Sequence, residues 1–307
     1  MEKTTIASLS REITTEAEAY ECLEQLRWGD SPRCAHCKGP NVALLVPKNG
    51  ISRRTRTGAM SERRVWQCRD CRKQFSVLTG TIMHRSKVPV RTWLMVTYEL
   101  CASKNGVAAR EIERKYGVNP RTAWFLAQRV RAAMVDPTLD PFSGVVEADE
   151  MYVGTRQRGK GSGMTDKLPV VTVVERGGGA RSVVAASQMQ AMPIVLDAIA
   201  PGTAVVTDQS TLYSDLQHFV AKHETVNHGA KQWARGAWHT NTVEGFFGQV
   251  RRSITGTHHR VTNKHIGRYM AEFDFRYSTR RASDGERMAT LAGQLERRLT
   301  YEQLKAL

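Results

Sequence analysis

Two Cys-x-x-Cys pairs, Cys34-Ala35-His36-Cys37 and Cys68-Arg69-Asp70-Cys71, stand 30 residues apart. A two-residue gap lets both thiolates of one turn converge on one ion. Two such turns close a tetrahedral four-sulfur shell, the pattern of a structural zinc site in a ribbon. A redox pair or unrelated buried thiols are the alternatives, and a lone redox motif does not account for the second copy. Cys22 and Cys101 sit in apolar helical patterns and read as core filler. A second constellation is acidic. Asp149 lies inside one β-branched run and Asp208 ends another, where α/β folds place ligand chemistry and carboxylates can hold Mg²⁺. Two such ions about 4 Å apart activate an attacking oxygen and stabilise a leaving one at a phosphodiester. Glu147 and Glu150 compete with Asp149 for this role.

A third ligand should come from a helix packed on the same sheet. From Asn241 to Ile254 the positions Val243, Phe246, Phe247, Val250 and Ile254 form a buried stripe, with Glu244 at its edge and Arg251 on the same flank. Asn241 stands one turn earlier, at the helix start. In the alternative reading Asn241 is an N-cap and Glu244 its capping-box partner.

The elements that must position these groups change texture along the chain. Residues 14–28 have Thr capping, acidic residues in the first turn and apolar Ala19, Cys22, Leu23 and Leu26 at helical spacing, which predicts a leading helix. Between the knuckles, residues 48–64 are rich in Arg, Gly, Ser and Thr and read as a long exposed loop or hairpin. Pro89 to Met134 is helical, and Gly117-Val118-Asn119-Pro120 joins two helices in the manner of a helix-turn-helix. Ile112, Tyr116, Val118 and Leu126 form its core, and Asn119, Arg121 and Thr122 face a groove; a plain helical hairpin is the alternative. After a linker at Pro137–Pro141, runs at 144–154, 168–175 and 181–187 predict an antiparallel meander. A helix at 193–200, a strand at 203–207 and helices at 212–220, 241–256 and 263–278 follow, giving an α/β domain with a mixed sheet.

The 307 residues leave room for about two domains. No run approaches the roughly 18 apolar residues that span a bilayer. Residues Met1–Thr5 carry no apolar core of a secretory signal, so a cytoplasmic location is expected, with the cysteines as thiols or metal ligands. The net charge of +15 favours a polyanion as partner. A membrane surface would need a basic amphipathic anchor or a lipidation signal, and neither is found.

The ordered motifs are the first Cys-x-x-Cys, the second within Trp66–Ser76, Thr79-Gly80-Thr81, Glu147-Ala148-Asp149-Glu150-x-Tyr152-x-Gly154, Asp208 with Tyr213, His239-Thr240-Asn241-x-x-Glu244-Gly245, Gly256-x-x-His259-x-Val261 and Phe273-x-Phe275-Arg276-Tyr277. From about Ala17 to Arg281 the chain resembles the IS1595 family of insertion-sequence transposases, the ISXO2-like group. The resemblance implies an RNase H-like catalytic domain with a DDE-type acidic triad, an N-terminal zinc ribbon, and cut-and-join chemistry at transposon ends. Carried onto this sequence, the triad is Asp149, Asp208 and Glu244, with thirty-five residues between the last two. Members differ over whether Asn, as at Asn241, or Glu, as at Glu244, completes the site; several relatives carry Lys where this chain has Arg251, which keeps the charge and can grip a phosphate.

The expected cofactors are two Mg²⁺ or Mn²⁺ per active site and one structural Zn²⁺. The expected partners are double-stranded DNA, as transposon ends and target, and further copies of the chain in a homodimer or higher oligomer at the bacterial nucleoid. The expected DNA contacts are Arg251, Arg252, Lys264, Arg268, Arg121, Arg72 and Lys73, supported by Arg53, Arg54, Arg63, Arg64 and Arg69 in the ribbon and by Arg276, Arg280 and Arg281 on the last helices. His239, His258 and His259 are read as satisfying hydrogen bonds, with contact to DNA or the active site as the alternative. The expected domains are an N-terminal helix at 1–30, the zinc ribbon at 31–85, a helical DNA-binding segment at 86–137, the catalytic domain at 138–285 and a helical tail at 286–307. Two rivals remain: a zinc-ribbon DNA-binding regulator without catalysis, and an RNase H-like nuclease or resolvase that cuts but does not join.

Overall fold

The computed structural model describes residues 4–46, 58, 60–136, 140–154, 167–296 and 299–306. Most of the Arg-rich insertion, with Arg53 and Arg54, and residues 137–139 of the linker lie outside the described residues. Two compact units divide the chain. One comprises Met1–Ser103, Ala109–Ala133 and Ala282–Ala306; the other comprises Lys104–Ala108 and Met134–Arg281.

In the first unit, Thr15 caps α2 (Glu16–Trp28) as the sequence predicts, and Glu18 returns the bond to complete a capping box. A shorter helix before it, α1 (Ile6–Glu12), was not foreseen; Thr5 and Ser8 cap it in the same reciprocal way. Glu16 of α2 accepts the N–H of Arg91 at 3.1 Å, capping from a distance α3 (Val90–Ala102), which has no side-chain cap of its own. Helix α3 is buried nearly all round, with Trp93, Leu94, Val96, Leu100 and Cys101 among its core residues. It packs against α1, α2, α5 (Pro120–Ala133) and α9 (Asp284–Gly293); α4 (Ala109–Tyr116) and the terminal α10 (Tyr301–Ala306) pack on α5. The ribbon is a three-stranded antiparallel sheet of β1 (Val42–Leu44), β2 (Trp66–Cys68) and β3 (Gln74–Phe75). Trp28 meets Trp66 and Phe75 edge-on, with ring centroids 5.9 and 6.0 Å away, beneath the knuckles.

The second unit is a five-stranded mixed sheet in the order β6-β5-β4-β7-β8. The meander β4 (Val145–Val153), β5 (Leu168–Glu175) and β6 (Ala180–Val184) is antiparallel, while β7 (Ala204–Asp208) runs parallel to β4 and to β8 (Lys222–Val226). Side-chain alternation then sorts the residues. Met151, Val153, Val170 and Val174 pack against α7 (Asn241–Ser253) and α8 (Ile266–Ser278). Val146, Ala148, Val171 and Val205 cover the other face with α6 (Ala191–Ala198) and Tyr213. This is the α/β architecture expected from the sequence.

Two departures have local causes. Residues 212–220 form two single 3₁₀ turns, Thr211–Tyr213 and Leu216–His218, instead of an α-helix. Tyr213 and Leu216 both bury, and a three-residue spacing aligns them on one side of a 3₁₀ path. The edge strand β8 and the small hairpin of β9 (Ala234–Arg235) and β10 (Trp238–His239) escaped notice, because Lys222-His223-Glu224-Thr225-Val226 shows no apolar alternation.

Candidate active site and zinc centre

Local chemistry shapes each knuckle in the same way. The residue after each second cysteine, Lys38 and Arg72, adopts a left-handed backbone with φ of 62° and 58°. The turns aim N–H groups back at sulfur: His36 N donates to Cys34 Sγ at 3.3 Å and Cys71 N to Cys68 Sγ at 3.5 Å. The four Sγ atoms lie within 4.8 Å of one another, with Cys34–Cys71 and Cys37–Cys68 both at 3.6 Å. A tetrahedron with Zn–S bonds of about 2.3 Å has edges of about 3.8 Å, so the four thiols need shift by no more than about 1 Å to enclose zinc. Their protonation tells the same story. At Cys34 burial opposes ionisation, but the N–H groups of Cys37 and His36 and the neighbouring thiols outweigh it and pull the thiol down to about 6. Cys37 is pushed up to about 12, the Gly39 N–H being outweighed by the sulfurs of Cys68, Cys34 and Cys71 and by burial. Such a set becomes fully thiolate only around a cation.

On the sheet, alternation along β4 puts Glu147 and Asp149 on the face covered by α7. Parallel pairing of Glu147 with Val206 carries Asp208 to the same face on the neighbouring strand. Burial pushes the Asp149 carboxyl up to about 7, opposed by the Glu150 N–H at 2.7 Å and reinforced by the negative charges of Glu150, Asp208 and Glu244. Asp208 accepts the Ser210 N–H at 3.0 Å, which leaves its second oxygen free of that turn. Glu244, with its side chain 42% exposed, accepts the Thr240 hydroxyl at 2.9 Å; His228 Nε2 lies 3.0 Å from that hydroxyl and 3.3 Å from the carboxylate. Among the described residues, only the four cysteines bring three or more ligand atoms within 4.8 Å of one another; the three carboxylates share a field without closing to that spacing. A buried carboxyl whose proton affinity is raised by burial and by the charges of neighbouring acids suits a divalent cation, which would let Asp149 ionise.

Glu150 points to the opposite face, where it accepts the hydroxyl of the buried Tyr213. Burial raises its carboxyl, against the pull of that hydroxyl. It is therefore set apart from Asp149 by alternation. Asn241 is the first residue of α7, exposed and not the N-cap; Thr240 takes that place and makes no side-chain cap bond. The capping-box reading of Asn241 and Glu244 is thus replaced. The N–H groups of Thr242 and Val243 go instead to Glu147, which sequence reasoning placed only as a competitor of Asp149.

Of the cations expected to meet DNA, Arg251, Arg252, Lys264, Arg121, Arg72 and Lys73 are exposed. Arg268 is not: it is 8% exposed, turned into the fold beside His265. Arg276 is equally buried and pairs with Glu272 one turn away on α8, so both arginines serve packing and not the surface. Arg64 pairs with Glu21 and Glu24. Asn119 accepts the Thr122 N–H at 2.9 Å, capping α5 and engaging the amide expected to face a groove. Periodicity marked the end of α8 and placed its start three residues early, on the 3₁₀ turn Asn263–His265, but could not say which of its cations would be covered.

Residues 141–278 match the ISXO2-like transposase domain and residues 14–74 the transposase zinc-ribbon domain. The chain belongs to the ISXO2-like transposase family. An uncharacterized protein in transposable element ISH50 of Halobacterium salinarum is 26% identical over 299 residues, spanning 91% of this chain and 96% of that protein. Within the transposase domain fall Asp149, Asp208, Asn241 and Glu244; within the zinc-ribbon domain fall all four knuckle cysteines. Among the described residues no helix is long and apolar enough to cross a membrane.

Proposed function

We propose that this chain is the transposase of an insertion sequence, cutting DNA at terminal inverted repeats and joining the freed 3′-hydroxyl to target DNA. The observation that carries the reading is the placement of Asp149 and Asp208 on one face of adjacent parallel strands, with the charge of Glu244 reaching Asp149 from the helix that covers that face. The sheet, a three-stranded meander extended by two parallel strands, supports the RNase H-like reading. Asp149, Asp208 and Glu244 would hold two Mg²⁺ or Mn²⁺, which activate the attacking oxygen and stabilise the leaving one when bound. Glu244 is preferred over Asn241 as the third ligand because its charge acts on Asp149 and its carboxylate is oriented by Thr240 and His228.

Around this centre the chain's own residues bind and orient DNA. Arg251, Arg252 and Lys264 neutralise phosphates beside the site. Arg72 and Lys73 in the ribbon and Arg121 at the start of α5 engage the terminal repeats, and the four cysteines keep the ribbon folded on zinc. Pairing two ends calls for a homodimer or higher assembly, working at the nucleoid. The test is incubation of zinc-loaded protein with DNA carrying the element's termini and a target plasmid, with Mg²⁺, with Mn²⁺ or with neither. Asp149→Ala, Asp208→Ala, Asn241→Ala and Glu244→Ala are run beside wild type. Expected are metal-dependent nicks at the ends and joined products, abolished by the first two substitutions and by Glu244→Ala. Equal end binding by all five proteins with no cut under either metal refutes the reading.

A further inference from the structure

Glu147 is a fully buried carboxylate, 0% exposed, two residues before Asp149 on the same face of β4. Its Oε2 accepts the N–H groups of Thr242 at 2.7 Å and Val243 at 3.0 Å. Its Oε1 accepts the Thr242 hydroxyl and Arg176 Nε, both at 2.7 Å, and lies 3.2 Å from His239 Nδ1. The remaining guanidinium nitrogens of Arg176 donate to the carbonyls of Ala237 at 2.6 Å and His239 at 2.9 Å, holding the strand that leads into α7. A helix start ordinarily needs only a Ser, Thr, Asp or Asn at its own N-cap. Here Thr240 makes no such bond, and the first turn is capped instead by a buried charge carried on another element. A carboxylate at a helix N-terminus is also favoured by the helix dipole. The arrangement clamps the first turn of α7, which bears Asn241 and Glu244, to the strand that bears Asp149.

Resting on the catalytic reading above, we propose that Glu147, braced by Arg176, is the positioning residue of the acidic centre: it fixes the separation between Glu244 and Asp149 and so sets the affinity for the divalent ion. Glu147 does not itself touch the ion. Its neighbour in sequence, Ala148, faces the opposite core, so the clamp and Asp149 are successive inward positions of one strand. An error at Glu147 is transmitted to Glu244 through a single helical turn.

The test is Mn²⁺ binding by the full-length, zinc-loaded protein, read as the loss of the free-ion electron paramagnetic resonance signal. Wild type, Glu147→Gln, Glu244→Ala and the double variant are compared, with thermal unfolding recorded for each. Glu147→Gln is expected to weaken Mn²⁺ binding by about tenfold, as loss of a group that orients a ligand does elsewhere. In the Glu244→Ala background the same substitution should change the affinity by less than about twofold, because the ligand it positions is already gone, while the fall in melting temperature is the same in both backgrounds. Should Glu147→Gln not fold, Thr242→Val and Arg176→Gln, each removing one arm of the clamp, are held to the same comparison. Unchanged affinity in a folded clamp variant, or equal weakening in both backgrounds, overturns the positioning role. If wild type binds no Mn²⁺, or Glu244→Ala binds as well as wild type, the catalytic reading itself falls and the inference with it.

Discussion

The raised carboxyl of Asp149 makes a prediction about stability that can be worked through in magnitude. In the unfolded chain this carboxyl titrates near 3.8, and in the folded protein it is pushed up to about 7 by burial and by Glu150, Asp208 and Glu244. Below the unfolded value both states carry the proton and the site costs nothing. As pH rises toward the folded value, the unfolded state releases its proton and the folded state keeps it, so stability falls by about 1.4 kcal/mol per pH unit. Above the folded value the loss levels off at about 4 kcal/mol at most. Asp149→Asn removes the titration and keeps an oxygen to accept the Glu150 N–H. The variant should therefore match wild type in stability near pH 4 and exceed it by about 3–4 kcal/mol at pH 8, both proteins zinc-loaded and in buffer without added Mg²⁺ or Mn²⁺. Urea unfolding of both proteins from pH 4 to pH 8.5 measures this directly. Adding Mn²⁺ at pH 8 should recover most of the difference for wild type and little for the variant. A stability difference that does not grow with pH would show that Asp149 is not in a field of neighbouring carboxylates, and the acidic centre as described would be wrong.

Three other expectations are independent of that one. Removing zinc with a chelator should unfold the ribbon and abolish the near-ultraviolet dichroism of Trp28 and Trp66, since structural zinc contributes about 10 kcal/mol or more; retention of the signal in zinc-free protein contradicts the four-thiol site. Tyr213→Phe leaves the half-buried Glu150 without its hydroxyl donor and should cost about 1–3 kcal/mol at neutral pH. Because that hydroxyl holds the Glu150 carboxyl down against burial, the loss should vanish in acid once Glu150 is protonated, and a pH-independent loss counts against the contact. Arg251→Gln should lower the slope of log affinity against log salt for end DNA by about one counterion and weaken specific and non-specific DNA alike; an unchanged slope removes Arg251 from the phosphate contacts.

The zinc centre was legible in the sequence because its chemistry is local. Two residues between cysteines suffice to aim both sulfurs at one point, and the left-handed Lys38 and Arg72 only complete turns that the spacing already implies. The helices at 16–28 and 241–253 and the meander of β4 to β6 were legible for a similar reason, each announcing itself through caps or apolar period within its own window. Where the period was broken, reading failed: β8 is a polar edge strand, and the 3₁₀ turns around Tyr213 and Leu216 follow a three-residue spacing that resembles a helix over so short a run.

The acidic centre was only half determined by sequence. Residue types and their order named Asp149, Asp208, Asn241 and Glu244, but nothing local distinguishes Glu147, Asp149 and Glu150 on one strand, or Asn241 from Glu244 on one helix. Tertiary structure separated the three acids of β4 through alternation and packing. Glu150 was turned toward Tyr213, Glu147 was drawn under the first turn of α7, and Glu244 was left near enough to Asp149 for its charge to be felt. The burial of Arg268 and Arg276 was decided at the same level. Spacing along the chain fixes chemistry when the reacting groups share a turn; when they come from strands and helices tens of residues apart, only the packing of those elements determines which charges meet.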